Sequence, residues 1–497
     1  MGLTVKTTDG LVAGGEGRFG AHCFLGIPYA AAPVGALRWA PPSRPGSWEG
    51  TRDCTRFGDV VPQAHSPGAF GDLFDSIGKQ GPDCLNLNVW TPDPGAVGLP
   101  VLVWIHGGAF VIGSGSDSLY DGSSFARDGV VTVTINYRLG ASGFHHAGDD
   151  VPGTGAFGVL DMVAALEWVQ ENIAAFGGDP NRVTIAGESA GGMSVGTLLG
   201  TPAAAGLFRR AIPQSGAGHH SMSPTSAALV ATALLAELGK DAADATDAEV
   251  IAAQQSVTGQ LQQSRDAGRF GPEAASSMMG WLPMAGGDVL PQRPIDAIRA
   301  GSAKDVDVLV GTCRDEFMLF LGVDPAVLGL DATMVRPIFD MTFGAAGADA
   351  YATYEGNRPG AAAAELLGAL QTDQMFRIPA VRLAEAQAGA GGRVFSYLFS
   401  WESPMFGGRI KAGHALELPF TWDNLGDRMA AGLVGDDAPQ ALADAMHGAW
   451  VRFITEGDPG WAQYDPTGSR TTRQFGGDTD LLDDPAADER VLWEELL

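Results

Sequence analysis

Residues 183–192 read VTIAGESAGG. Val183 to Gly187 is a near-continuous apolar run rich in β-branched residues, as a strand covered on both faces must be. Ala190 to Leu199 can continue as a helix. Between the two, Gly187-Glu188-Ser189-Ala190-Gly191 fits the pattern G-x-S-x-G, in which a serine is held on a sharp strand-to-helix turn. The backbone crowds at such a turn, and glycines two residues to either side leave it room. Ser189 would then stand exposed at a helix N-terminus, where the peptide dipoles favour developing negative charge. The bare pentapeptide arises often by chance. The strand before it and the helix after it give it weight as a nucleophile.

Outward from this stretch the same texture recurs. Val101 to His106, within LPVLVWIHGG, and Val130 to Tyr137, VVTVTINY, are apolar runs of the same kind. Between the second run and Val183 lies Gly158 to Phe176, with Val159, Val163, Leu166, Val169 and Ile173 at helical spacing. Strand alternating with helix predicts an α/β fold with a central, mostly parallel sheet flanked by helices. Val306 to Gly311 and Val394 to Phe399 are expected in the same sheet. Near the start, Thr4 to Thr8 and Leu11 to Gly14 flank Asp9-Gly10, a hairpin signal. From Pro28 to about Pro82 the chain is rich in Pro and Gly and shows little periodicity. The segments 222–300 and 320–392 are Ala-rich and helical in pattern. They read as excursions over the active site of a single catalytic domain spanning 1–497. Asp436 to Glu456 reads as a late amphipathic helix.

The charge balance excludes some partners. Against 58 acidic residues stand 31 Lys and Arg, a net charge of −27. Such a surface repels phosphate backbones and anionic membranes, so no nucleic acid and no membrane is expected as a partner. No apolar run reaches the roughly 18 residues of a spanning helix; Ala227 to Leu238 is too short. The N-terminus has no apolar signal core, and Lys6 breaks the myristoylation pattern. A cytoplasmic protein, monomeric or a small homo-oligomer, is expected. Cys23, Cys54, Cys84 and Cys313 are too widely and irregularly spaced for a CxxC motif and are expected as buried free thiols.

His106-Gly107-Gly108-Ala109 closes the strand that starts at Val101. It matches the HGG-type loop whose backbone N–H groups hold an oxyanion. Gly107, Gly108 and the N–H of Ala190 are the expected donors. Triads in this arrangement run Ser, acid, His. The strand Val306 to Gly311 leads into Asp315 and Glu316, and spacing does not choose between these carboxylates. After them come two histidines. His447 sits inside the late helix and reads as a packing residue. His414 lies in the loop Lys411-Ala412-Gly413-His414, as a catalytic histidine should. His106, His145, His146, His219 and His220 precede the acid and form no convincing metal set. No metal or cofactor is expected.

Several stretches together resemble the type-B carboxylesterase family, which includes p-nitrobenzyl esterases and cholinesterases. They are FLGIPYAAAPVGALRWAPP, DCLNLNVWTP, PVLVWIHGGAF, INYRLGASGF, ALEWVQENIAAFGGDPNRVTIAGESAGG, GTCRDEF and AGHALELPF, and the likeness runs from about Val5 to Trp461. The resemblance implies the α/β-hydrolase fold and hydrolysis of small-molecule esters through an acyl-enzyme. It places the acid on Glu316, the base on His414, the oxyanion donors on Gly107, Gly108 and Ala190, and Glu188 beside them as a supporting acid.

The chain also departs from the family pattern. Gly81-Pro82-Asp83-Cys84 stands where Ser-Glu-Asp-Cys is common, which removes the usual acidic partner of Arg38. Val61-Pro62-Gln63 offers no cysteine partner for Cys84. Phe317 replaces the glycine that commonly follows the acid, Cys313 stands where Asn is common, and Asp161-Met162 replaces Asp-Gln. Phe110, Phe317, Met318 and Trp281 are candidate pocket residues and suggest an uncharged, small to medium ester. The same triad would serve carbamates, amides or thioesters. A binding module that keeps the fold without the chemistry is the remaining alternative.

Overall fold

A computed structural model describes residues 3–65 and 78–496. Part of the loop region expected between Pro28 and Pro82 lies outside these residues.

Fourteen strands are present among the described residues: β1 Thr4–Lys6, β2 Leu11–Ala13, β3 Gly15–Glu16, β4 His22–Pro28, β5 Thr51–Asp53, β6 Asn86–Thr91, β7 Leu99–Ile105, β8 Val131–Ile135, β9 Gly178–Glu188, β10 Arg210–Gln214, β11 Asp307–Cys313, β12 Val394–Phe399, β13 Thr472–Phe475 and β14 Leu481–Leu482. A small sheet has the order β1-β2-β5; the large one runs β14-β13-β12-β11-β10-β9-β7-β8-β6-β4-β3. From β8 to β13 neighbours are parallel; β6, β4, β3 and β14 add antiparallel edges. This is the α/β-hydrolase fold.

Residues of β7 alternate between two cores, as a pleated strand requires. Val103 and Ile105 join Val133, Ile185 and the helix Phe157–Asn172 on one face. Leu102 and Trp104 join Ala186, Ile212 and Leu309 on the other, under Trp450 and Phe453 of the helix Gln440–Glu456. The sheet order reverses at β7, which lies between β8 and β9. Crevices form at the carboxyl ends of strands at such a reversal. The registers Ile105↔Gly187, Gln214↔Glu188 and Gln214↔Gly311 bring the ends of β7, β9, β10 and β11 side by side there.

The expected hairpin forms, with Thr4 opposite Ala13. The expected helix 158–176 is α-helical over Phe157–Asn172 and ends in a 3₁₀ turn, Ile173–Phe176. The excursions are helical, among them Pro224–Leu238, Asp247–Ser264, Ala332–Phe343 and Ile378–Gly389. Strands β4, β5, β6, β10 and β13 did not read as strands. Pro213 sits within β10, a residue normally absent from central strands because it cannot donate. In β6 the buried Asn86 and Asn88 interrupt the apolar pattern. Their side-chain amides donate to the backbone carbonyls of Asp59, Asp83 and Gly115, which keeps these polar groups paired.

The departures resolve locally. Arg38 pairs with Asp247 at 2.8 Å, so it is tied to a helical excursion. Asp161 accepts from Arg138 in a buried ion pair at 2.8 Å. All four cysteines are free and buried.

Candidate active site

Ser189 joins β9 to the helix Ala190–Leu199. Its φ of 58° and ψ of −125° lie where side chains are rarely tolerated, a strain of roughly 1–3 kcal/mol. Two hydrogen bonds hold it there: Ser189 N–H donates to the Gln214 carbonyl at 3.0 Å, and Met193 N–H donates to the Ser189 carbonyl at 2.8 Å. The neighbouring glycines are obligatory. A Cβ on Gly187 would stand 2.5 Å from the Ile105 oxygen, and one on Gly191 would stand 2.0 Å from it.

The loop after β7 presses against this turn. A Cβ on Gly107 would lie 2.7 Å from the Glu188 oxygen and 3.1 Å from Ser189 Cβ. Gly108 has a φ of 110°, and Ala109 and Phe110 also have positive φ, at 52° and 62°. The loop is pinned by Val111 and Ile112 N–H donating to the Gly108 carbonyl. Tyr137 Oη donates to the His106 carbonyl at 3.0 Å. Ala190 is the first residue of its helix, so its N–H has no acceptor within the helix. Gly107 and Ala190 thereby lie at Ser189, with Gly108 next along the loop.

Glu316 follows β11, and every oxygen it offers is engaged. Oε1 accepts from Ser215 Oγ at 2.5 Å and from Cys313 N–H at 2.7 Å. Oε2 lies 2.6 Å from His414 Nδ1. His414 N–H donates to the Glu316 carbonyl at 3.0 Å, which ties the two loops together. On the other side of the ring, Nε2 lies 3.0 Å from Glu188 Oε1. That approach is off the line of a hydrogen bond, and Glu188 Oε1 has no hydrogen-bond partner. Asp315, the alternative acid, accepts instead from Arg314 at 2.7 Å.

A third acid lies beneath. Glu417 is fully buried and three residues past His414. Its Oε2 accepts from Cys313 Sγ at 2.9 Å, and its Oε1 from Gln214 Nε2 at 3.4 Å. Gln214 Oε1 accepts from Trp450 Nε1 at 2.9 Å. Cys313 thus serves both acids, by its amide for Glu316 and by its thiol for Glu417.

Burial raises Glu188 well above the usual carboxylate range; His414 opposes the rise, and Glu417 and Glu316 add to it. Burial, then the charge of Glu316, raises Glu417 as well. Burial disfavours the imidazolium of His414, but Glu188 and Glu316 outweigh it and lift the ring to about 9. Crowded carboxylates do not all ionise together. The charges of Glu188 and Glu417 are accordingly tied to that of His414, which opposes the rise in both.

The other histidines lie elsewhere. His106 stacks on Tyr137 at 4.6 Å and is pushed down to about 4 by burial. His145 and His220 are also lowered to about 4, and His219 to about 3, by burial first. His146 lies 3.1 Å from Asp149. His447 is buried in its helix, facing the Thr421 carbonyl and Asp128. Among the described residues no group of three or more His, Cys, Asp or Glu is placed to hold a metal.

Phe110 is fully buried against Phe144, and Trp281 and Met318 are also buried. The rings at His414 are Phe376, at 4.7 Å, and Phe320, at 5.2 Å. Phe317 reaches the site through Phe320, 5.1 Å away. Phe376, Ser215, Gln214 and Glu417 escaped the sequence reading. Glu417 lies three residues past His414, in the turn that leads into the helix Leu418–Thr421.

The carboxylesterase family model matches residues 2–476. The chain belongs to the carboxylesterase family. As such it is a type-B serine carboxylesterase. It is similar to the para-nitrobenzyl esterase of Bacillus subtilis, 37% identical over 490 residues, covering 95% of this chain and 94% of that protein. It is 35% identical to a phenmedipham hydrolase of Pseudarthrobacter oxydans, covering 88% of this chain and 87% of that one. The crystal structure of a Geobacillus stearothermophilus carboxylesterase superposes with a TM-score of 0.85 at 37% identity, covering 99% of this chain and 100% of that one. No helix of the described residues is long and apolar enough to cross a membrane.

Proposed function

We propose that this carboxylesterase hydrolyses small to medium uncharged esters through a Ser189–His414–Glu316 triad. The observation that carries the reading is the His414–Glu316 contact at 2.6 Å, together with the strained strand-to-helix turn that carries Ser189. His414 Nε2 takes the proton of Ser189 Oγ as that oxygen bonds to the ester carbonyl carbon. The resulting oxyanion is received by the N–H groups of Gly107, Gly108 and Ala190. Collapse breaks the bond to the alkoxy oxygen, which takes the proton from His414 and leaves as the alcohol. Water, deprotonated by His414, then cleaves the acyl-enzyme and frees the acid. Glu316 orients the ring and stabilises its charged form. Glu188 supports the charge from the other side.

The neighbouring carboxylates and the net charge of −27 disfavour an anionic substrate. The rings of Phe320 and Phe376 offer an apolar wall. The whole chain is read as one catalytic unit. Its buried free thiols suit a reducing compartment such as the cytoplasm.

Labelling with a fluorophosphonate tests the assignment. The folded enzyme should take up one label on Ser189, mapped by peptide mass. Labelling at another serine, or none, contradicts it.

A further inference from the structure

The turn Asp373–Arg377 is a single π-type turn joining the helices Ala363–Thr372 and Ile378–Gly389. Such turns often mark functional positions. One side of this turn meets two parts of the site and a buried histidine. Thr372 Oγ1, just before it, accepts from the N–H of Phe317, the residue after Glu316, at 3.1 Å. The Met375 carbonyl lies 3.0 Å from His220 Nε2. The Phe376 ring stands 4.7 Å from the His414 imidazole.

The other side is gripped by the C-terminal segment. Arg377 closes the turn on Asp373 with contacts of 2.5 and 2.7 Å. Arg377 also donates to the Pro485 carbonyl at 3.0 Å and lies 3.6 Å from Glu489. Glu489 is fully buried and pairs with Arg358 as well. Trp493 Nε1 donates to Tyr354 Oη at 2.9 Å, and that hydroxyl donates in turn to Asp373. The family match ends at residue 476, before this segment.

We propose that the C-terminal segment Asp484–Trp493 is a clasp that positions the catalytic histidine, by fixing the Asp373–Arg377 turn that sets Phe376 against His414. The inference rests on the reading of His414 as the general base. Every element of the chain from Trp493 through Tyr354, Asp373 and Phe376 to His414 is buried. Buried side chains with discrete arrangements transmit displacement instead of absorbing it. A loosened clasp therefore loosens the imidazole, and small misplacements of a catalytic group cost rate.

Removing Glu489 would disturb two arginines at once, so gentler variants are needed. Tyr354→Phe removes the hydroxyl between Trp493 and Asp373 and keeps the ring. It should lower kcat for p-nitrophenyl butyrate by about 3- to 10-fold, with KM within about two-fold of wild type. In a Phe376→Leu background the same substitution should cost less than about two-fold, because the clasp acts through that ring. Full additivity, or an unchanged kcat in Tyr354→Phe, overturns the proposal. Hydrogen exchange on the full-length chain is independent of turnover. Trp493→Phe should speed exchange across 372–378 and 414–418, and unchanged exchange there overturns the clasp. A wild type without esterase activity would sink the function reading instead, and the exchange result would still decide the clasp.

Discussion

His414 Nε2 lies 3.0 Å from Glu188 Oε1. The nitrogen that would accept the Ser189 proton in the proposed triad therefore faces the carboxylate of the residue before Ser189. Glu188 holds the imidazole above its ordinary value. His414 must be neutral to act as base, so kcat/KM should rise with pH through its titration. Glu188→Gln removes a charge that favours the imidazolium. The acidic limb of the kcat/KM profile should then move to lower pH by about one unit. An unmoved limb would show that Glu188 does not act on His414.

The same shift has a stability consequence. The imidazolium's contribution is fully present below the ordinary value of 6.5 and is lost as pH rises through about 9. Glu188→Gln should shrink that loss. Urea unfolding midpoints at pH 6 and pH 9 would be closer together in the variant than in wild type.

Cys313 gives its thiol to Glu417 at 2.9 Å. Cys313→Ala leaves that carboxylate oxygen without its donor and should cost about 1–3 kcal/mol. Cys313→Ser restores an O–H donor and should recover most of the loss. The two variants are compared by urea unfolding. Equal destabilisation by Ala and Ser would mean that packing volume, not the hydrogen bond, sets the residue.

Gly108 tests the oxyanion loop. A Cβ there would stand 2.2 Å from the Ile112 oxygen, at a φ of 110°. Gly108→Ala should displace the loop and its N–H donors. The expected loss in kcat is about 10²–10³-fold, with little change in KM. A loss confined to KM would place the loop in substrate binding alone.

The elbow was legible because its chemistry demands a local pattern: strand, glycine, serine, glycine, helix. The sheet was legible where strands are covered on both faces, as at Val101 and Val131. It was not legible at β10, where Pro213 breaks the pattern, or at β6, where asparagines pair with loop carbonyls. The acid was narrowed to Asp315 or Glu316 by position and to Glu316 by family likeness. The structure then engages Glu316 with His414 and turns Asp315 to Arg314. Phe376 at His414 was not legible, because only long-range packing brings the two rings together. No spacing rule relates Trp493 to Tyr354, so the C-terminal contacts were invisible in the sequence.

Ser189 is the residue on which the account depends. The direct measurement is steady-state hydrolysis of p-nitrophenyl acetate, butyrate and octanoate by wild type and Ser189→Ala. The account predicts turnover by wild type and a fall in kcat of about 10⁴-fold or more in a variant that remains folded. A folded Ser189→Ala enzyme with undiminished turnover would contradict it.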